Sequence, residues 1–109
     1  MTAIKGTWES HKVELDGKPL DPRPSQNIRN HSPDGFMWSY GGSGPAQLAL
    51  AILLSVVTKE EAVKWYQAFK WEFVSRWPAD DFTVQVDIQA WINKKEERED
   101  EVAERQNKE

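Results

Sequence analysis

Cysteine is absent from this chain of 109 residues, and histidine occurs only twice. Without a thiol, the protein can form no disulfide and can use no cysteine as a nucleophile or metal ligand. The two histidines, His11 and His31, do not have the HxxxH or HExxH spacing of helical zinc sites. We therefore predict no metal site and no cofactor. Since no other group of residues forms a recognisable catalytic arrangement, we predict no catalytic residues and favour a protein that is not an enzyme.

A surplus of basic residues is also missing, because 14 Lys and Arg stand against 18 Asp and Glu, for a net charge of −4. Residues 96–109 carry all of this charge, with seven acids and three bases. The neutral remainder argues against non-specific binding to duplex nucleic acid, which depends on phosphate neutralisation by Lys and Arg. We predict one domain at residues 1–95, followed by a charged, solvated helical tail at residues 96–109.

Long apolar runs are equally scarce. The longest apolar segment, Ala46–Val57, has twelve residues, and Gln47 and Ser55 are its polar members. A membrane-spanning helix needs about 20 residues, and this segment lies mid-chain without the charged region that precedes a signal-peptide core. We therefore expect a soluble cytoplasmic protein with no membrane partner. A helix that is apolar all round must be covered on most sides, so this segment is the predicted central core helix.

The residues before this helix predict a strand and a sharp turn. Aromatic residues alternate along Phe36–Tyr40, which is typical of a half-buried strand. The glycines that follow relax the usual limits on φ and let the chain turn sharply; they are Gly41, Gly42 and Gly44. Pro45 suits the first helical position, which makes Gly44 the expected N-cap and Ser43 the competing one. Gln47 would then lie at the third helical position and reach back to the cap N–H.

Two interpretations of this glycine-rich turn stay open. It is either a tight strand-to-helix connection or an anion site, since free N–H groups and the helix dipole favour a phosphate at a helix N-terminus. The turn has neither the Walker lysine nor the GxGxxG spacing, so the motif is weak. We expect His31 to tie down the preceding loop by hydrogen bonds, and Gln47→Ala to be a mild substitution. The candidate ligand-binding residues are Tyr40, Gly41, Gly42, Ser43, Gly44, Gln47 and His31.

The N-terminal part predicts the rest of a small antiparallel sheet. Residues 3–8 and 11–15 are predicted strands, with His11 exposed in the second. Residues 18–30 contain three prolines and are predicted to be an irregular surface loop. With Phe36–Tyr40, the sheet has about three N-terminal strands.

Two further helices are predicted after the central one. Thr58–Glu61 is a capping box, and the helix that it begins should end near Arg76. Trp65 and Trp71 lie off the apolar stripe of this helix and off each other's face, so the helix is covered on more than one side or presents a tryptophan to solvent. We then predict an extended segment at Phe82–Val84 and a helix that begins at about Val86. The fold class is thus α+β, with the sheet packed on two to three helices.

The central stretch also resembles a small bacterial and phage domain family of unknown function. The family's typical string is close to NHSP-x-GF-x-WGYGGSGPAQLALAIL, and the likeness covers most of residues 11–92. It implies a bacterial or mobile-element setting but no activity. The chain departs from it at Ser39, where the family usually has glycine, which speaks against a positive φ there. The matching residues are Asn30 to Pro33, Gly35, Phe36, Trp38, Tyr40 to Leu54, Tyr66, Gln67, Phe69 and Lys70.

Two functions from different classes remain. The leading one is a non-enzymatic binding module of the phage or plasmid accessory type, with the glycine-rich turn and nearby aromatic residues as its surface. Its partner would be a host protein, for example one of a defence system. The alternative is a nucleotide- or phosphate-binding protein, an enzyme included, that uses the glycine-rich turn. The sequence leaves the oligomeric state open.

Overall fold

An antiparallel four-stranded sheet lies beside four α-helices, which confirms the predicted α+β class. The computed structural model describes residues 1–107, with the side chains of residues 1–104. The elements in chain order are β1 (Thr2–Thr7), β2 (Lys12–Leu15), β3 (Lys18–Pro19), α1 (Arg23–Ile28), α2 (Ser43–Val56), α3 (Lys59–Glu72), β4 (Phe82–Val86) and α4 (Ile88–Asn107). Across the sheet the strands lie in the order β3-β2-β1-β4.

The N-terminal strands are confirmed as β1 and β2, which pair in antiparallel register. A two-residue turn joins β2 to β3, and both of its residues, Asp16 and Gly17, have positive φ. Such a turn matches the right-handed twist of a hairpin. His11 is exposed as expected, but it lies in the turn between β1 and β2, with φ of 58°, and not in a strand.

The prediction of an irregular loop at residues 18–30 is wrong. This segment forms β3 and the short helix α1. Proline is compatible with both, because Pro19 lies on the edge strand and Pro24 lies in the first turn of α1, where a missing N–H costs nothing. Ser25 is the buried residue of α1.

The central helix α2 is buried from Gly44 to Leu53, which confirms its predicted place in the core. Residues from the sheet and from the other helices join it in one hydrophobic cluster. Ile4 and Val13 enter this cluster from the sheet, and Phe69 enters it from α3. Because α2 is covered on every side along this length, its residues have no solvent-facing stripe.

The capping box of α3 is present in both directions. Glu61 N–H donates to Thr58 Oγ1 at 3.2 Å, and Thr58 N–H donates to Glu61 Oε1 at 3.3 Å. The helix ends earlier than predicted, at Glu72, and a separate 3₁₀ turn covers Val74–Arg76. Phe73 between them leaves the helical region, with φ of −120°.

The segment Phe36–Tyr40 is not a strand, contrary to the prediction. Phe36 and Trp38 are buried as a strand would bury them, but Ser39 has φ of 78°. Its N–H donates to the Val74 carbonyl at 3.0 Å. The segment is therefore held by a bond to the 3₁₀ turn and not by a sheet ladder. The serine does adopt a positive φ, so the expectation drawn from its replacement of glycine was wrong.

β4 extends further than predicted. It continues through Val86, and α4 begins at Ile88 rather than near Val86. All five residues of β4 pair with β1, and Asp87 then caps α4, since its Oδ1 accepts the Ala90 N–H at 3.1 Å. Pairing with a strand some eighty residues away decides this boundary, and local periodicity does not report it.

The first turns of α4 are anchored on α3. Trp91 packs edge-on against Phe69 and Phe73, and its indole N–H and the Lys95 ammonium both donate to the Glu72 carboxylate. Burial raises the pKa of Glu72, but hydrogen bonds from Lys95 and Trp91 outweigh it and hold that pKa below its ordinary value. This contact therefore stabilises the fold above the ordinary carboxyl pKa, and its contribution is lost as pH falls through the lowered one.

Beyond this anchor, α4 continues to Asn107. The described side chains of the tail are mostly exposed. Lys64 of α3 meets Glu99 in an exposed ion pair at 2.6 Å, and such pairs contribute little in water. The domain boundary at residue 95 stays a prediction, and the side chains of residues 105–109 lie outside the described part.

We predict that Ser39→Gly stabilises the protein. An L-residue in the left-handed region costs roughly 1–2 kcal/mol, whereas glycine takes this conformation freely and loses about 0.5–1 kcal/mol through its more flexible unfolded chain. The expected net gain is about 0–1.5 kcal/mol, and each kcal/mol raises Tm by about 4–8 °C for a domain of this size. Thermal unfolding followed by circular dichroism measures it.

Ser39→Ala is the matched control, because it also removes the hydroxyl but keeps the Cβ that crowds the left-handed backbone. Its Tm should stay at or below that of the parent. Equal Tm values for the glycine and alanine variants would show that the backbone at this position carries no such strain.

Candidate functional site

The glycine-rich turn leads into α2 by a different geometry from the one predicted. Gly42 is the N-cap, with φ of −94° and ψ of −160°, and no side chain caps the helix. Ser43 is the first helical residue, so the assignment of Gly44 as N-cap was wrong. Pro45 is then the third helical residue and not the first. It fits there because none of the first four N–H groups of a helix has an intrahelical acceptor.

The three glycines serve close packing and not an unusual backbone. None of them has a positive φ. A Cβ on Gly41 would meet the ring of Trp71, one on Gly42 would meet the ring of Tyr40, and one on Gly44 would meet Met37, each within 3.0 Å. The sequence-based explanation, release from the limits on φ, is therefore wrong. Each glycine is small so that a side chain of this same chain can lie against its backbone.

Two large aromatic side chains remain exposed at this turn. Trp71 is 57% exposed and Tyr40 is 49% exposed. We call Tyr40, Gly41, Gly42 and Trp71 the aromatic patch. Trp38, by contrast, is fully buried, and its indole N–H donates to the Asp80 carbonyl at 3.1 Å.

A lysine lies beneath the aromatic patch. Lys70 is only 7% exposed. Its Nζ donates to the Gly41 carbonyl at 3.1 Å and lies 4.3 Å from the centre of the Trp71 ring. An ammonium over an indole face is attracted by the ring quadrupole. Lys70 therefore fixes both the turn and the tryptophan. Neither Lys70 nor Trp71 is among the site residues predicted from the sequence.

Gln47 does not reach back to the helix cap, which corrects the prediction. It is fully buried. Its Oε1 accepts the backbone N–H groups of His31 at 2.8 Å and Ser32 at 3.0 Å, and its Nε2 donates to Ser25 Oγ at 2.8 Å. The Ser25 hydroxyl in turn donates to the Pro22 carbonyl at 2.7 Å. This buried amide thus joins α2 to the whole segment 22–32.

His31 has the structural role that we expected. Its backbone is bound to Gln47, and its Nε2 lies 2.8 Å from the Tyr66 hydroxyl of α3. The predicted site residues therefore fall into two groups. Tyr40 and residues 41–43 lie at the partly exposed turn, whereas His31, Gly44 and Gln47 belong to the interior and the loop that it holds. Whether either group binds a ligand stays a prediction.

Sequence reasoning missed Trp71 as part of the site, although a sign of it was present. Trp71 lies off the apolar stripe of α3, on the exposed face that also carries Glu60, Lys64 and Gln67. A tryptophan on the polar face of a helix indicates a surface role. What the sequence does not show is that this face ends beside Gly41, some thirty residues earlier in the chain.

Neither a metal cluster nor a membrane helix is present in the described part of the chain. Among the side chains of residues 1–104, no three from His, Asp or Glu come together as metal ligands. Between residues 1 and 107, no helix combines the length and the apolar character needed to cross a bilayer.

Comparison with protein families matches residues 5–94 to the family of unknown function DUF6166. The chain belongs to this family. The match includes the glycine-rich turn, Trp71 and all four strands except the first residues of β1, and it ends before the acidic tail. No curated protein and no solved structure matches the chain.

We predict that Gln47→Ala is strongly destabilising, in contrast to the mild effect expected from the sequence. The substitution leaves the half-buried Ser32 N–H without its acceptor, which costs about 1–3 kcal/mol. It also removes one of two hydrogen bonds from the His31 N–H and from the Ser25 hydroxyl, which keep the Arg29 and Pro22 carbonyls, and it opens a cavity in the core. We expect a loss of roughly 3–5 kcal/mol, within the range of large core truncations. Urea unfolding followed by tryptophan fluorescence measures it.

Ser55→Ala is the control, since Ser55 lies on the same helix but is exposed and bonds only to the Ala51 carbonyl among described groups. It should change the free energy of unfolding by less than about 0.5 kcal/mol. A loss at Gln47 no larger than that at Ser55 would contradict the assigned role of the buried amide.

Proposed function

We propose that the protein is a non-enzymatic binding module that holds a partner protein on the aromatic patch. The observation that carries this proposal is that the side chains of Trp71 and Tyr40 are exposed to solvent while they lie against Gly41 and Gly42. Tryptophan and tyrosine are the residues most enriched in the energetic centres of protein interfaces. The family match carries no activity, so the proposal depends on this surface.

The patch is held in place before any partner arrives. Trp71 lies against Gly41, and Lys70 ties the Gly41 carbonyl and the indole face together. Tyr40 lies against Gly42. Side chains that are already ordered lose less conformational entropy on binding, so more of the contact energy appears as affinity.

The sequence resembles a bacterial and phage domain, and on that basis we propose a phage or plasmid accessory protein that works in the cytoplasm. Its partner is then a host protein, for example a component of a defence system. The resemblance to that family is what supports this setting.

We predict that Tyr40→Ala and Trp71→Ala each abolish capture of a host protein from a bacterial lysate without unfolding the domain. Removing a hot-spot aromatic costs 2 kcal/mol or more, about thirtyfold in Kd. Quantitative mass spectrometry compares the proteins retained by each bait. Val56→Ala is the control, since Val56 is also exposed but belongs to the far end of α2.

Circular dichroism checks that each variant is folded. A partner that binds the parent, Trp71→Ala and Tyr40→Ala equally would place its site elsewhere and contradict the aromatic patch.

The alternative is an anion site at the start of α2, and two observations favour it. The helix has no side-chain cap, and the Lys70 ammonium lies at the adjacent Gly41 carbonyl. Against it, the space beside Gly41 and Gly42 is filled by the rings of this chain, whereas a phosphate loop keeps that space for its ligand. The amide shifts of residues 42–47 during titration with phosphate and mononucleotides separate the two. Saturable shifts would favour the anion site over the protein partner.

A further inference from the structure

The two edges of the sheet are unequal. The β3 edge has two residues, Lys18 and Pro19, and both length and composition protect it, because short edges, lysine and proline block pairing with another chain. The β4 edge has five residues, FTVQV, with neither proline nor charge. No other strand of the described chain pairs with its outer side.

The hydrogen bonds of β1 show which backbone groups of β4 face outward. The Ala3 carbonyl accepts the Asp16 N–H at 2.8 Å, so Ala3 directs its backbone groups toward β2. The next residue, Ile4, therefore directs its groups toward β4, where it is paired with Val84. Val84 in turn directs its backbone groups toward Ile4 of β1. Because this direction alternates along a strand, the N–H and C=O groups of residues 83 and 85 point away from the sheet.

Both of these residues are open to a partner. Thr83 and Gln85 are exposed, and among the described residues their outward backbone groups have no hydrogen-bond partner. On the core side, Phe82 and Val86 are buried, whereas Val84 between them stays half-exposed. A strand added at this edge would satisfy the backbone groups and cover Val84.

Acidic residues flank the edge at both ends. Asp81 and Asp87 are the residues immediately before and after β4. Both carboxylates are held in place, because Asp81 Oδ1 accepts the Trp8 N–H at 2.7 Å and Asp87 Oδ1 caps α4. The edge thus presents two fixed negative charges, one beyond each end of β4.

We propose that the β4 edge binds an extended segment of a partner protein as a fifth, antiparallel strand. The segment has apolar residues at alternate positions, which lie beside Phe82, Val84 and Val86, and a basic residue at each end, which faces Asp81 or Asp87. A second copy of this chain fits poorly in the register that pairs β4 along its whole length. Two β4 strands paired symmetrically about Val84 would place Asp81 of each copy opposite Asp87 of the other, and like charges in such pairs are destabilising.

The test uses the full chain and a synthetic peptide, Lys-Val-Thr-Val-Thr-Val-Lys, with blocked ends. In antiparallel register its valines meet the apolar face and its lysines meet the two aspartates. NMR titration should shift the amide signals of Thr83 and Gln85 and slow their hydrogen exchange. The same peptide with both threonines N-methylated keeps every side chain but loses the two donors, and we expect at least about tenfold weaker binding. Glutamate in place of both lysines should weaken binding by a similar factor.

The protein variant is Thr83→Pro, which removes an outward N–H that no residue of β1 uses. Proline is tolerated on sheet edges, so the variant should stay folded and lose the peptide. Thr83→Val is the matched control, because it keeps the N–H, and it should bind as the parent does. If Thr83→Pro does not fold, the N-methylated peptide still tests the proposal on the unaltered protein.

Three results would overturn the proposal. One is the absence of shifts at Thr83 and Gln85 at millimolar peptide. Another is equal binding of the lysine and glutamate peptides, which would remove the charge argument. The third is a dimer in sedimentation experiments that Thr83→Pro dissociates, which would make a second copy of the chain the occupant. None of these outcomes bears on the aromatic patch, so the two surfaces are tested independently.

Discussion

The need to cover α2 is the constraint on which the rest of the structure depends. A helix that is apolar on all faces gains its stability from its neighbours and not from its own propensity. Every layer of the fold supplies part of this cover. α3 lies along the helix, α1 and α4 contact it, and Ile4 and Val13 of the sheet share its cluster. The large rings of Trp38 and Phe69 complete the core at full burial.

One buried polar side chain in α2 then controls a second part of the chain. Gln47 needs hydrogen-bond partners inside the core, because a buried amide without them loses the hydrogen bonds that it makes to water in the unfolded chain. Its partners come from Ser25, His31 and Ser32. The segment 22–32 is therefore an ordered part of the fold, and α1 has its place because Ser25 must reach this amide.

The two proposed surfaces recognise partners by different chemistry. The aromatic patch offers side chains, Trp71 and Tyr40, that glycines and Lys70 hold in place. The β4 edge offers unpaired backbone groups at residues 83 and 85, with an aspartate beyond each end. A partner protein could use either surface without the other, because no residue is common to both.

Local patterns in the sequence determined the fold class, the central helix, the capping box of α3 and the first two strands. In each case residues close in the chain carry the decisive interaction, such as Thr58 with Glu61, or the density of apolar residues in α2. Tertiary structure alone decided the rest. Ser39 takes a positive φ because its N–H bonds to Val74, β4 continues to Val86 because β1 pairs with it, and the glycines are small because Trp71 and Tyr40 lie on them. These choices depend on contacts between residues far apart in the chain, and periodicity within a short window carries no record of them.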